Sequence, residues 1–176
     1  FEKDGIVIVN KNHWVSANYR PVPDEYENVR LADPAWEAFL EMQEAAKKDG
    51  VYLQVISTYR TYERQEALFN MYSARSGEEA ANRYSSRPGQ SEHQTGLAVD
   101  VTAGEDLTID FADTKAGRWL WTYAYRYGFI LRYPEGKEEI TGYQFEPWHY
   151  RYIGKEHASN FGPNSTLTLE EYLDID

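Results

Sequence analysis

Ser91-Glu92-His93-Gln94-Thr95-Gly96-Leu97-Ala98-Val99-Asp100 is the stretch on which the reading of this 176-residue chain turns. Just before it, Ser85 to Gln90 carries Ser, Arg, Pro and Gly without an apolar period, so His93 is read as a loop residue. Leu97 to Val101 returns to strand character, which places Asp100 on a strand. Gly96 between them lets the backbone turn sharply, and the two side chains can then converge on one point. Further along, Glu146-Pro147-Trp148-His149 brings a second histidine and another carboxylate.

The chain has four histidines, and two of them lie in these stretches. His93, Asp100 and His149 make a two-histidine, one-carboxylate set. On a tetrahedral zinc, such a set leaves the fourth position open for water, as catalytic rather than structural sites do. Pro147 argues against a helix interior, so Glu146 and His149 are not the helical His-Glu-x-x-His arrangement. A turn at Pro147-Trp148 can still bring both beside one metal. Glu146 is then the general base for a water whose pKa zinc lowers to about 7. Two other classes stay open on the residues alone. One is a binding module that keeps zinc without catalysis, which has no need of Glu146 as a base. The other is an iron(II) oxygenase built on the same triad.

Composition narrows the partners. Aromatic residues make up 15% of the chain, with 15 Tyr and 5 Trp, which is packing material for a folded globule and not for a disordered tract. The length fits one domain with a real core. A formal net charge of -11 disfavours nucleic acid, which needs clustered cations, and equally an anionic membrane surface. With no cysteine, a metal site must be built from His, Asp or Glu. No apolar run is long enough to span a bilayer. The chain starts at Phe1 without a basic, apolar leader, so any leader or anchor is expected upstream of it.

Working outward, Gly5 to Asn10 reads as a short strand, followed by an extended arm at Pro21-Val22-Pro23. Asp33-Pro34 reads as a cap followed by an N1 proline, opening a helix with Trp36, Phe39, Leu40 and Ala46 buried, and Gly50 ends it. Residues 51 to 57 alternate as a half-buried strand that delivers Ser57-Thr58-Tyr59-Arg60 to its end. A helix over about Tyr62 to Ala74 should turn Leu68, Met71 and Tyr72 inward. Thr114 to Tyr127 predicts a third helix closed by Gly128. Phe129 to Tyr133 and Tyr143 to Ile153 read as strands around a Pro134-Glu135-Gly136 turn. Thr168 and Glu171 have capping-box spacing before a short terminal helix. The order of elements indicates an α+β fold without internal repeat or linker.

The Ser91 to Asp100 block, Glu146-x-x-His149 and Ser57-Thr58-Tyr59-Arg60 together resemble the VanY-type D-alanyl-D-alanine carboxypeptidases and the related L,D-carboxypeptidases. These belong to the zinc peptidase group that also includes lysostaphin and the hedgehog signalling domain. Gly128-Phe129-Ile130-Leu131-Arg132-Tyr133-Pro134 matches the same pattern, and no core motif position departs from it. The resemblance covers about Val9 to Gly154, leaving 155–176 as a C-terminal extension of a single domain.

The resemblance implies an antiparallel sheet carrying the zinc site with helices packed around it. It also implies one zinc ion on His93, Asp100 and His149, and Glu146 as the catalytic base. Arg60 would assist at the scissile carbonyl, with Ser91, Gln65 and Tyr150 as substrate contacts. The implied substrates are peptidoglycan stem peptides or their precursors, outside the cytoplasmic membrane of a bacterium, cut by a monomer. Removal of D-Ala from D-Ala-D-Ala ends is the first expectation and the L,D cut of tetrapeptides the alternative. Arg60 also makes sense independently, because a fixed cation stabilises oxyanion charge or holds a free carboxylate. Trp148 is expected to line the cleft or to support the metal shell. His13 and His157 lack a carboxylate at convincing spacing. Trp119, Trp121, Tyr123, Tyr125 and Tyr127 read as a core stripe plus an amphipathic face, and Glu138-Glu139 and Glu170-Glu171 as solvated.

Overall fold

Strands with alternating side chains bury one face of a sheet and free the other for different work. The computed structural model describes residues 1–176. Strands β1 (Glu2–Lys3) and β2 (Ile6–Val7) form a short hairpin. Strands β3 (Gln54–Ser57), β4 (Ala98–Thr102), β5 (Phe129–Leu131) and β6 (His149–Tyr152) form one antiparallel sheet in the order β3-β4-β6-β5. The helices are α1 (Asp33–Lys48), α2 (Tyr62–Ser76), α3 (Glu78–Tyr84), α4 (Lys115–Tyr123), α5 (Glu138–Thr141), α6 (Lys155–Ser159) and α7 (Leu169–Leu173). The fold is the α+β arrangement expected.

Val99, Val101, Phe129 and Tyr150 share one face of the sheet, and α1 and α4 cover it with Phe39, Met42, Trp119 and Leu120. Alternation sends Asp100, His149 and Arg151 to the other face. On that side a smaller apolar cluster of Ile6, Ile8, Ile130, Ile153, Leu169 and Leu173 ties the hairpin and α7 to the sheet. The extended run 143–153 shortens to β6 at His149–Tyr152, because Pro147 has no N–H to give a ladder.

Helix faces differ in detail from expectation. Helix α1 is capped by Ala32, with Asp33 inside the first turn beside Arg30. Its buried face is Ala35, Ala38, Phe39, Met42 and Ala46, one stripe at helical spacing. Leu40 lies off that stripe and is exposed, and Trp36 is half-buried. In α2, Gln65 and Phe69 are buried, Leu68 and Tyr72 are half-buried, and Met71 is exposed, because this helix walls a cavity instead of covering the sheet. Helix α3 has one buried residue, Ala81, and so no apolar period to read. The third predicted helix is α4 followed by a 3-10 turn, closed by Gly128 in the left-handed conformation. Of the aromatic run there, Trp119 packs with Tyr123 and Tyr127 in the core, while Trp121 is exposed.

The capping box forms. Thr168 Oγ1 accepts from Glu171 N at 3.0 Å, and Glu171 Oε2 accepts from Thr168 N at 2.9 Å. Glu170, expected in solvent, is instead 1% exposed, because its carboxylate closes on the guanidinium of Arg132. No helix is long and apolar enough to cross a membrane.

Phe39 is fully buried and meets Phe129 edge-on, joining α1 to the sheet. Phe39→Ala should cost about 3–5 kcal/mol through lost burial and the cavity left behind. Chemical denaturation of the two proteins measures this directly.

Candidate metal centre

The site is assembled by strand register. Asp100 on β4 stands directly opposite His149 on β6. On the other side, β3 shifts register between Val55 and Ser57, so that Ser57 and not Ile56 faces Asp100. A bulge of this kind re-aims the end of a strand, and here it carries Ser57-Thr58-Tyr59-Arg60 to the site. His93 comes from the short 3-10 helix Glu92–Thr95, which Ser91 caps by accepting from His93 N. Gly96 ends that helix at a φ of 70° and opens into β4.

His93 Nε2 lies 3.3 Å from Asp100 Oδ2, and His149 Nδ1 lies 3.6 Å from Asp100 Oδ1. Ligand atoms of His93, Asp100 and His149 all lie within 4.8 Å of one another, and all three residues are buried. Each ring is oriented by its second nitrogen. His93 Nδ1 is 2.7 Å from the Thr58 carbonyl, and His149 Nε2 is 3.3 Å from Glu92 Oε2. Such partners fix the tautomer and leave the opposite nitrogen free to bind a metal. Asp100 Oδ1 is buried without a hydrogen-bond partner. A buried carboxylate with one orphaned oxygen, flanked by two imidazoles that each turn one nitrogen toward it, is a donor set suited to zinc, with room for a fourth ligand.

Glu146 reaches the same point by a turn. His149 N donates to Glu146 O at 3.1 Å across Pro147-Trp148, and Glu146 Oε2 lies 3.2 Å from His149 Nδ1. Burial raises the Asp100 carboxyl, but His93, His149 and Arg60 outweigh it and hold the group at about 2. Burial also raises Glu146, and there it wins over the His149 bond, so this carboxyl lies above its ordinary range. Burial disfavours charge on His149, yet Glu146, Glu92 and Asp100 raise it to about 9. The pocket thus favours positive charge where a divalent cation would supply it.

The ligands open onto a cavity of about 350 Å³ that also meets Arg60, Gln65, Ser91 and Trp148. Arg60 is held by Gln65 Oε1 at 2.8 Å and Ser57 Oγ at 2.7 Å. It makes no pair with Glu63, which bonds Arg20 instead. Gln65 has its amide on the Ser86 carbonyl at 2.6 Å, so it braces Arg60 against the cavity wall. Tyr150 is not brought to this cavity: one residue past His149, it turns to the opposite face and packs in the core. His13 stacks on Phe1, and His157 meets Tyr172, both away from the site. Glu92, Arg132 and Arg151 were not singled out by sequence reasoning. The available signal was two arginines inside otherwise packed strand runs, each requiring a buried anion.

Gly96 is confined as well as bent. A Cβ there would lie 2.6 Å from Val22 Cγ2 and 3.2 Å from Ala32 N, whose N–H bonds the Gly96 carbonyl. Gly96→Ala should therefore cost about 2–4 kcal/mol, combining left-handed strain with the close contact. A urea midpoint unchanged from the parent protein would contradict this.

The protein-family model described as VanY, D-alanyl-D-alanine carboxypeptidase, matches residues 28–155. A D-alanyl-D-alanine carboxypeptidase of Enterococcus faecalis is 37% identical over 181 residues, covering 97% of this chain and 66% of that protein. The chain thus spans about two thirds of that relative. Among solved structures, the LdcB LD-carboxypeptidase aligns at TM-score 0.87 and 37% identity, over 100% of this chain and 94% of its own. A vancomycin-resistance D,D-pentapeptidase VanY in complex with Zn(II) aligns at TM-score 0.80 and 38% identity, over 95% of this chain and 97% of its own.

Proposed function

The chain belongs to the VanY family of D-alanyl-D-alanine carboxypeptidases, and from that membership we propose that it removes the terminal D-Ala of peptidoglycan stem peptides. The observation that carries the chemistry is the convergence of His93, Asp100 and His149, with Glu146 beside them, at the floor of one cavity. His93, Asp100 and His149 would hold a single zinc ion. When bound, zinc supplies a Lewis acid that polarises the scissile carbonyl and acidifies water.

Glu146 takes the proton from the attacking water as the new C–O bond forms. It returns that proton to the nitrogen as the C–N bond breaks, so the products are the shortened peptide and a free amino acid. Burial holds the Glu146 carboxyl above its ordinary range, which favours its taking up the proton. Arg60, fixed by Gln65 and Ser57, presents a cation to the oxyanion or to the substrate's own carboxylate. Ser91 and Trp148 line the same cavity, where they would meet the peptide. Stem peptides place the action outside the cytoplasmic membrane, and one chain holds the whole proposed constellation, consistent with a monomer.

The L,D cut is a second reading, favoured by one observation: LdcB, named as an LD-carboxypeptidase, aligns over the whole of this chain. Pentapeptide and tetrapeptide stems incubated separately and weighed by mass spectrometry distinguish the two. Loss of one D-Ala from the pentapeptide is expected, and cleavage of the tetrapeptide alone would overturn the D,D assignment. Glu146→Ala should keep stoichiometric zinc while kcat falls by about 10²–10⁴. An unchanged rate would remove Glu146 from its role.

A further inference from the structure

Behind His149 lie four ionic side chains with almost no solvent exposure: Arg132, Arg151, Glu92 and Glu170. Arg132 Nε and Arg151 Nη1 both donate to Glu92 Oε1, at 2.6 and 2.9 Å. The two Nη groups of Arg132 close as a fork on Glu170, at 2.8 and 2.6 Å. The other Glu92 oxygen, Oε2, faces His149 Nε2 at 3.3 Å. Two cations and two anions balance, so no bare charge is buried. The chain of contacts runs from α7, beyond the residues 28–155 that the family model matches, to a residue assigned to the metal.

We propose that Glu170 is a positioning residue of the metal site: it occupies the Arg132 fork, leaves Glu92 Oε2 to His149, and so holds His149 Nδ1 toward Asp100. The proposal rests on the metal assignment above. Its physical basis is competition for one carboxylate. Arg132 reaches Glu92 through Nε alone because Glu170 satisfies both of its Nη groups. Without the Glu170 carboxylate those donors lie unpaired in a dry interior, a costly state. Arginine favours a bidentate grip on carboxylate, and the carboxylate already in its hand is Glu92. A fork turned onto both Glu92 oxygens takes Oε2 from the imidazole. His149 then loses the contact that fixes its tautomer and ring angle.

Glu170 is itself held in place. Asn10 Nδ2 donates to its Oε1 at 3.3 Å. Burial raises the Glu170 carboxyl, but Arg132 prevails and keeps it below the ordinary range, so it stays ionised in the fork. Residues 155–176 are accordingly part of the site's support and not an appendage to it.

The test reads zinc affinity on the full chain, by competition with a chromogenic chelator at a temperature well below every variant's melting transition. Glu170→Gln and Glu92→Gln should each weaken zinc by about tenfold or more, the range for outer partners of a metal ligand. The double variant should be no weaker than Glu92→Gln alone, because both changes act on one bond. Thr168→Ala removes the α7 capping box without touching an Arg132 partner, so it should lower the melting temperature and leave zinc affinity within about twofold. Zinc affinity in Glu170→Gln within about twofold of the parent overturns the proposal. Equal weakening by Thr168→Ala, or multiplicative effects in the double variant, does the same. If Glu170→Gln does not fold, Glu170→Asp replaces it, keeping the charge but retracting it from the fork, and is judged by the same thresholds. A parent protein that binds no zinc sinks the metal assignment and this inference together, whereas tight binding by the parent with unaffected Glu170 variants sinks this inference alone.

Discussion

The pairing of Asp100 with His149 across β4 and β6 is the constraint on which the rest of the structure depends. Side chains alternate along a strand, so a slip of one residue would exchange Asp100 for Val99 or Val101 and turn His149 into the core. The apolar face prevents this. Val99, Val101 and Tyr150 are packed under α1 and α4, and burying them in register presents the carboxylate and the imidazole on the opposite side. Core packing on one face is therefore what holds the ligand geometry on the other. The β3 bulge adds the third contribution, since it sets the Thr58 carbonyl on His93 Nδ1 and Arg60 on the cavity wall.

A face so rich in ionisable groups survives burial because each charge has a partner of a different kind. Asp100 is surrounded by His93, His149 and Arg60 and stays ionised far below neutrality. Glu146, buried in the same pocket with less compensation, lies above its usual range. Two carboxylates a short distance apart are thus shifted in opposite directions by their surroundings, as the proposed roles of ligand and base require. Glu92 serves a third purpose. Arg132 and Arg151 outweigh its burial and hold it ionised, which makes it a permanent acceptor for the imidazole of His149.

The chemistry was more legible in the sequence than the packing was. His93, Asp100, Glu146 and His149 could be gathered because glycine and proline mark where the backbone must turn, and these local signals survive without tertiary information. The α+β class and the capped terminal helix were legible for the same reason. Leu40 and Met71 were misplaced because a stripe's edge depends on which surface the helix meets, and α2 meets a cavity. Tyr150 was expected at the site from the family resemblance, but strand alternation sends it to the face opposite its neighbour His149. Glu170 looked like surface charge beside Glu171, yet its partner is 38 positions away in sequence. Long-range ion pairs of this kind carry no local period or motif.

The division of labour across the fold also bears on where the choice of substrate must reside. On the proposed reading the sheet supplies the ligands, and the Glu146–His149 turn supplies the base. These groups act on the carbonyl and water common to any peptide bond. They do not meet the side chain or the stereocentre on either side of that bond. Groups that do must stand further out on the cavity wall, where Leu68 and Tyr72 of α2, Tyr84 of α3, and Leu107 and Phe145 of connecting segments face it. None of these belongs to a strand, so they can change without disturbing the register that holds the metal ligands. A single scaffold can in this way serve cuts of different stereochemistry, with rate set by the sheet and selectivity by the rim.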